Sequence, residues 1–384
     1  MHWAVTFRCD LACSDCYVQR HSHTTAAELN TKQSLALIDR LAEVGIFQLA
    51  IGGGEPFLRA DLSQLLARAK AGNMVTHVTT GRYLDTRTLK EVWKYITSLQ
   101  VGIKQDALIR HPGAEREKLS ELIAKTSDQG IDVGANLILS RSTIHQFEPI
   151  IEELSRAGFK RITLLRYKPG GDRNRWFQEK PASDELLSLE EKLAISVDTY
   201  PHIQFRADCG LAFLERHLPP EQAGYHGIRG CSAAGRILSI APDGSVYPCS
   251  QLVGPKFRAG HWPTDEFQDI WRNSEILRRY RKFRTHKGFK KSQCGQCMAK
   301  SQCGGCRVFA PDALGSDPGC PEPILLPAKS GKHPQDERYD MLVDIQESIG
   351  CTEGGFPFAT LEEIEGWLEA AECRDYPRWL EEED

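Results

Sequence analysis

Between Trp3 and Leu165, β-rich runs alternate with helical patterns, six strands in all. A chain built this way has few folds open to it. Trp3 to Phe7, Phe47 to Ile51, Val75 to Thr79, Leu99 to Ile103, Val133 to Leu139 and Arg161 to Leu165 read as strands. Lys32 to Val44, Leu62 to Ala71, Arg87 to Ile96, Glu115 to Gln129 and Phe147 to Ala157 read as helices. In the first helix Leu35, Leu37, Ile38 and Leu41 mark an apolar face, with Thr31 as the expected N-cap. Strands joined through helices run parallel, so the fold class is α/β, with a sheet that is open or curled into a partial barrel. Functional groups in such folds collect beyond the C-terminal strand ends. Cys9, Gly53 to Pro56, Thr79 to Gly81, Asp106, Ser140 and Arg166 fall there and are expected on one face.

The 384 residues include thirteen cysteines, far above ordinary usage. Met1-His2-Trp3-Ala4-Val5 lacks the basic-then-apolar pattern of a secretion signal, and the cysteine count is odd. A disulfide framework therefore explains the cysteines poorly, and ligation of metal or clusters explains them better. A net charge of −4 offers no bulk attraction to nucleic acid or a membrane surface. No apolar run approaches a transmembrane helix in length. A cytoplasmic chain is expected.

Cys9, Cys13 and Cys16 stand in a C-x3-C-x2-C pattern. Three thiolates this close suit three irons of a [4Fe–4S] cluster and leave the fourth iron open to a ligand. Gly52-Gly53-Gly54-Glu55-Pro56 follows the second strand. Its glycines would let a ligand approach the backbone. Glu55 and the neighbouring peptide groups are candidates to hold a cationic amine.

Together these two segments resemble the radical S-adenosylmethionine (SAM) enzymes, whose hallmark is C-x3-C-x2-C followed, after the next strand, by Gly-Gly-Glu-Pro. The matching positions are Cys9, Cys13, Cys16 and Gly53, Gly54, Glu55, Pro56. The resemblance implies a partial (β/α)6 TIM-type barrel in which SAM chelates the open iron and Gly53 to Glu55 receive its amine. A reduced cluster would then cleave SAM to a 5′-deoxyadenosyl radical. By the same resemblance Tyr17, Asp106, Ser140, Arg141 and Arg166 are candidates to contact SAM or line the cavity. The chain departs from the family at three places. Asp15 stands where an aromatic is common. Thr79-Thr80-Gly81 replaces Thr-Asn-Gly, and Lys104-Gln105-Asp106-Ala107 replaces Ser-x-Asp-Gly.

After about Pro201 the chain becomes loop-rich, with many glycines and prolines. Cys231, Gly244, Cys249, Cys294, Cys297, Cys303, Cys306 and Cys320 resemble the SPASM domain, which carries auxiliary iron–sulfur clusters. Only the Cys303–Cys306 spacing, x2 instead of x3, departs from the usual pattern. The resemblance implies two auxiliary [4Fe–4S] clusters. One would use Cys231, Cys249 and Cys306, with Cys209 as the candidate fourth ligand. The other would use Cys294, Cys297, Cys303 and Cys320. The competing reading is a structural zinc site on the paired C-x2-C motifs. The five residues between Cys297 and Cys303 are far fewer than the roughly 15–20 usual in a zinc ribbon.

Three domains are expected: a barrel over residues 1–205, a SPASM domain over 206–327, and a linker with a short helical extension over 328–384. In the last, Thr360 and Glu363 form a capping box ahead of Ile364, Trp367, Leu368 and Ala371. The final 23 residues hold ten acidic and two basic side chains. Cys351 and Cys373 match nothing and are expected as free thiols. Arg278 to Lys291 carries eight Arg or Lys and no acid; the plainest reading is a solvated helix leading into Cys294.

By its resemblance the chain is expected to oxidise a ribosomally made peptide, installing a thioether or carbon–carbon cross-link. It would need a low-potential electron donor such as ferredoxin or flavodoxin. Only eight residues precede Cys9, so the expectation is that a separate protein binds the leader, that the C-terminal segment does so, or that the substrate is not a leader peptide. The alternatives are sulfatase-maturase-like protein oxidation, small-molecule work on tetrapyrrole or quinone precursors, and a non-catalytic iron–sulfur electron carrier. An electron carrier would have no use for the Gly53–Pro56 segment.

Overall fold

The structure is a computed structural model that describes residues 1–11, 13, 15–16, 27–168, 173–217, 230–300 and 303–321. Met1–Gly331 forms one compact unit and Lys332–Asp384 another, and the described residues all belong to the first. Tyr17, Cys351, Cys373, the 328–334 linker and the Thr360–Ala371 helix lie outside the described residues.

A single ten-stranded sheet organises the unit. In chain order its strands are β1 (His2–Ala4), β2 (Gln48–Gly52), β3 (Val75–Thr80), β4 (Ser98–Gly102), β5 (Asp132–Leu139), β6 (Arg161–Arg166), β7 (Gln204–Ala207), β8 (Ser239–Ile240), β9 (Ser245–Tyr247) and β10 (Gly260–His261). Their spatial order is β10-β9-β8-β1-β2-β3-β4-β5-β6-β7. Strands β1 to β7 pair in parallel, as the alternation predicts, with β7 a seventh strand that the sequence pattern did not mark. Beyond residue 205 the sheet continues: β8 lies parallel on β1, His2 opposite Ser239, and β9 and β10 follow antiparallel.

Helices α1 (Thr31–Glu43), α2 (Leu62–Ala71), α3 (Thr86–Val92), α4 (Gln105–Arg110), α5 (Pro112–Ser127), α6 (Arg141–His145), α7 (Phe147–Ala157), α8 (Arg173–Glu179) and α9 (Ser183–Thr199) complete the barrel half. Helix α1 is capped by Asn30, not Thr31. The Asn30 side chain accepts from the Gln33 N–H at 3.0 Å, and Gln33 accepts from the Asn30 N–H at 3.0 Å. This reciprocal box satisfies two end donors at once, which Thr31 one residue later cannot do.

Trp3 and Val5 are fully buried, in one apolar cluster with Leu37, Ile38 and Leu41 of α1, Leu49 and Ile51 of β2, and Leu65 and Leu66 of α2. Burying one such aliphatic side chain contributes about 1.5–3 kcal/mol. Strand alternation then turns His2, Ala4 and Thr6 to the opposite face. The basic run is not one solvated helix. It breaks into Glu275–Arg281 and Lys287–Lys290, and it buries Leu277, Tyr280, Phe283 and Phe289.

Candidate active site and auxiliary cysteine centres

The loops after β1 and β2 close on each other through backbone. The Gly54 N–H donates to the Thr6 carbonyl and the Glu55 N–H to the Arg8 carbonyl, each at 2.8 Å. Gly53 has φ +128°, and a Cβ there would sit 2.7 Å from the Thr6 oxygen. At Gly54 a Cβ would sit 2.2 Å from the Arg8 oxygen. The approach that demands these glycines is thus made by the chain's own segment leading to Cys9.

Glu55 is fully buried. Its carboxylate accepts from Thr80 Oγ1 at 2.9 Å, the Gly81 N–H at 3.1 Å and the Phe57 N–H at 3.1 Å. Burial pushes its pKa up, while the Phe57, Thr80 and Gly81 donors oppose the rise. The carboxylate therefore ties the ends of β2 and β3 together. Pro56 opens the single turn Pro56–Leu58 that Glu55 caps.

Cys9 Sγ accepts from the Leu11 N–H at 3.4 Å, and the Cys16 N–H donates to the Cys13 carbonyl at 3.2 Å. Desolvation by the surrounding loop, then the charges of Cys16 and Cys9, push Cys13 up to about 11, although its residue surface is exposed. Desolvation likewise raises Cys9. Cys9 and Cys13, which resist ionising, lie with Cys16 in one short loop, and such a set suits a multivalent cation that stabilises the thiolates. The donor set fits an iron–sulfur cluster.

Asp15, beside Cys16, is held from two sides. Gln105 Nε2 donates to it at 2.6 Å and Arg175 Nε at 3.0 Å. Arg175 also donates to Asp106 at 3.0 Å. Helix α8, absent from the sequence expectations, thus brings a guanidinium over the cysteine loop. From its last turn, Glu179 accepts from Ser142 Oγ at 2.7 Å. Burial works against the Glu179 carboxylate, but the Ser142 donors hold its pKa below the usual range.

Ser140, Arg141 and Arg166 also have protein partners. Buried Ser140 caps α6. Arg141 pairs with Glu185 of α9 at 3.0 Å. Arg166 is buried against Asp317 and donates to the Gly210 carbonyl at 3.1 Å. Its guanidinium carbon lies 3.7 Å from the Phe309 ring centroid.

In the second half the Cys209 and Cys306 thiols share a hydrogen bond. Sharing raises Cys209, helped by burial, and lowers Cys306. Cys231 and Cys249 are neighbours of this pair, and burial followed by the Cys231 charge pushes Cys249 up to about 11. Burial works against the Lys168 ammonium, yet Asp208, Cys306 and Cys209 raise its pKa. Cys294, Cys297, Cys303 and Cys320 line a cleft that Cys209 and Cys306 also border. Burial pushes Cys303 up to about 12. Backbone amides aim at these sulfurs: the Gly305 N–H reaches Cys303 Sγ and the Asp317 N–H reaches Cys294 Sγ, each at 3.4 Å. Gly304 and Gly305 both take positive φ, +64° and +72°, and a Cβ on Gly305 would sit 2.8 Å from Cys294 Sγ. The short Cys303–Cys306 spacing works because two glycines turn left-handed there. Among the described residues, no Cys, His, Asp and Glu side chains group at the spacing of a single metal ion.

Two family models match. The radical SAM superfamily model covers residues 3–154, and the SPASM iron–sulfur cluster-binding domain model covers residues 231–299. The chain is a radical SAM enzyme. Iron–sulfur clusters and SAM are therefore its cofactors. Mycofactocin maturase MftC of Mycobacterium tuberculosis is 28% identical over 298 residues, spanning 73% of this chain and 72% of its own. PqqA peptide cyclase of Granulibacter bethesdensis is 27% identical over 296 residues, 72% and 74% of the two chains. An AdoMet-dependent heme synthase of Nitratidesulfovibrio vulgaris is 26% identical over 317 residues, 76% and 83%. SuiB of Streptococcus suis, solved with its precursor peptide SuiA, shares the radical SAM partial-barrel fold at TM-score 0.65 and 18% identity, over 84% of this chain and 75% of its own. No helix among the described residues is long and apolar enough to cross a membrane.

Proposed function

We propose that this radical SAM/SPASM enzyme oxidatively cross-links a ribosomally made precursor peptide. The observation that carries the reading is the second set of cysteines. Cys209, Cys231, Cys249 and Cys306 neighbour one another, and Cys294, Cys297, Cys303 and Cys320 share the adjoining cleft. Such centres suit a reaction that removes an electron from the substrate after hydrogen has been taken. SAM bound at the Cys9–Cys16 cluster would supply the hydrogen-abstracting radical. The chain's own part is to hold the loops: Gly53 and Gly54 fix the cysteine segment, and Arg175 clamps Asp15. We assign Cys209 as the fourth ligand beside Cys231, Cys249 and Cys306, giving three clusters in all. The residues 1–205 and 206–327 would act as barrel and auxiliary domain.

PqqA peptide cyclase, by its name, acts on a peptide, which supports a peptide substrate here. The heme synthase relative favours a tetrapyrrole instead. PqqA peptide cyclase and SuiB, the latter solved with a precursor peptide, weigh toward the peptide reading. Mass spectrometry of a short Cys-containing peptide encoded beside this gene, co-expressed with and without the enzyme, tests it. A loss of hydrogen masses is expected; an unchanged mass, with turnover of a porphyrin precursor, would overturn it.

A further inference from the structure

Residues 276–311 hold ten Lys or Arg and no Asp or Glu, in a chain whose net charge is −4. Arg278, Arg279, Lys282, Lys287, Lys290 and Lys291 are exposed. Among the described residues none of these six stands in a salt bridge, whereas Arg40, Arg68, Arg116 and Arg156 elsewhere on the surface all do. Arg278 reaches the Asn273 carbonyl at 3.5 Å and Arg279 acts on Asp312 from a distance; neither is an ion pair. The neighbouring Arg281 and Arg284 turn inward to the carbonyls of Ala234, Trp271, Cys231 and Cys303.

The Lys287–Lys290 part of this basic stretch lies against one cysteine set. A Cβ on Gly295 would sit 1.9 Å from the Phe289 oxygen and 2.8 Å from Lys290 Cα, so the Cys294–Cys297 turn packs on the Lys287–Lys290 helix. Cys297 is half-buried, and Met298 beside it is 54% exposed. Exposed cations and an exposed Met298 next to a cysteine set have the make-up of a weak electron-transfer interface.

We propose that the face formed by Arg278, Arg279, Lys282, Lys287, Lys290 and Lys291 docks an acidic one-electron carrier protein at the Cys294-set cluster. It rests on the reading that Cys294, Cys297, Cys303 and Cys320 hold a cluster. One electron crosses between that cluster and the docked carrier: an oxidised carrier takes the electron that the substrate leaves on the cluster, the carrier being reduced by one as the cluster is oxidised by one, and a reduced carrier drives the same step in reverse; no bond is made or broken and no proton moves. The cations steer the acidic partner into place, and salt screens them. Nucleic acid is the other polyanion such a face attracts, but the position over a cysteine set favours a redox protein.

The test is stopped-flow oxidation of photoreduced plant-type [2Fe–2S] ferredoxin by the fully reconstituted full-length enzyme, over a salt series. The second-order rate should fall about tenfold or more as salt rises. Lys290→Glu/Lys291→Glu, and separately the more distant Arg278→Glu/Lys282→Glu, should each cut the low-salt rate about tenfold and flatten the salt dependence. Lys90→Glu on α3 should change neither. Iron content and the electron paramagnetic resonance of the dithionite-reduced clusters should match wild type in all three variants. Loaded variants that accept electrons at the wild-type rate overturn the docking inference alone, as does loss of RNA oligonucleotide binding with an unchanged ferredoxin rate. A wild-type enzyme without a cluster on the Cys294 set overturns the cluster reading and the docking inference with it.

Discussion

Arg166 at the end of β6 and Asp317 in the auxiliary region form a buried two-pronged ion pair, with contacts of 2.6 and 3.0 Å across 151 residues of chain. Asp317 does more than neutralise Arg166. Its carboxylate accepts from the Cys306 N–H at 3.0 Å, and its own N–H reaches Cys294 Sγ. One residue thus touches a barrel strand and one member of each auxiliary cysteine set.

Removing that carboxylate should be costly, because it strands a buried guanidinium. Asp317→Asn should destabilise the enzyme by about 3–5 kcal/mol. It should also lower auxiliary iron while the Cys9–Cys16 cluster still loads. Chemical denaturation and iron analysis check this; a variant with wild-type stability and iron would sink the linking role.

Cys13→Ala should abolish 5′-deoxyadenosine production from SAM. Reconstituted iron should fall from about twelve to about eight per chain if three [4Fe–4S] clusters assemble. Iron quantitation alongside product analysis reads both. A variant that still makes 5′-deoxyadenosine contradicts the assignment.

Gly54→Ala should disturb the first cluster selectively. The added methyl meets the Arg8 carbonyl, and relieving that clash costs about 1–3 kcal/mol or more. The cluster signal from the Cys9 loop should weaken while auxiliary signals persist. Unchanged spectra would mean that the two loops do not zip as described.

His2 gives a pH prediction. Burial, then the N-terminal ammonium, lowers its pKa to about 4 from 6.5. A depressed histidine pKa means that protons favour the unfolded chain. Stability should be level above about pH 6.5 and fall between there and pH 4, by at most about 3 kcal/mol from this residue. His2→Asn should flatten that part of the stability–pH curve. An imidazole that titrates near 6.5 by NMR would remove the basis for it.

The parallel sheet and the cysteine motifs were legible because their signals are contiguous: Cys9, Cys13 and Cys16 lie within eight residues, and each strand carries its own pattern. Gly53 and Gly54 were legible as glycines with a purpose. The purpose lay in the Thr6 and Arg8 carbonyls, which no spacing rule identifies. The work of Glu55 depends on Thr80 and Gly81, contributed by the next strand. Arg175 and Asp317 escaped notice because their ion-pair partners Asp15 and Arg166 lie 160 and 151 positions away, and an isolated Arg or Asp has no periodicity to read. Asn30 could have been found, since Asn30 and Gln33 spell a capping box.

The pairing of β8 on β1 bears on how this enzyme can be taken apart. Strand β1 has only three residues and carries the first cysteine loop directly behind it. Cut away the region after residue 205, and β1 becomes a bare edge whose unpaired amides invite a second chain to add on. The auxiliary half is then the protective border of the barrel, and neither half is a detachable part for truncation or domain exchange. Engineering that aims to swap cluster domains between such enzymes should move β8 and β9 together with the strand they shield.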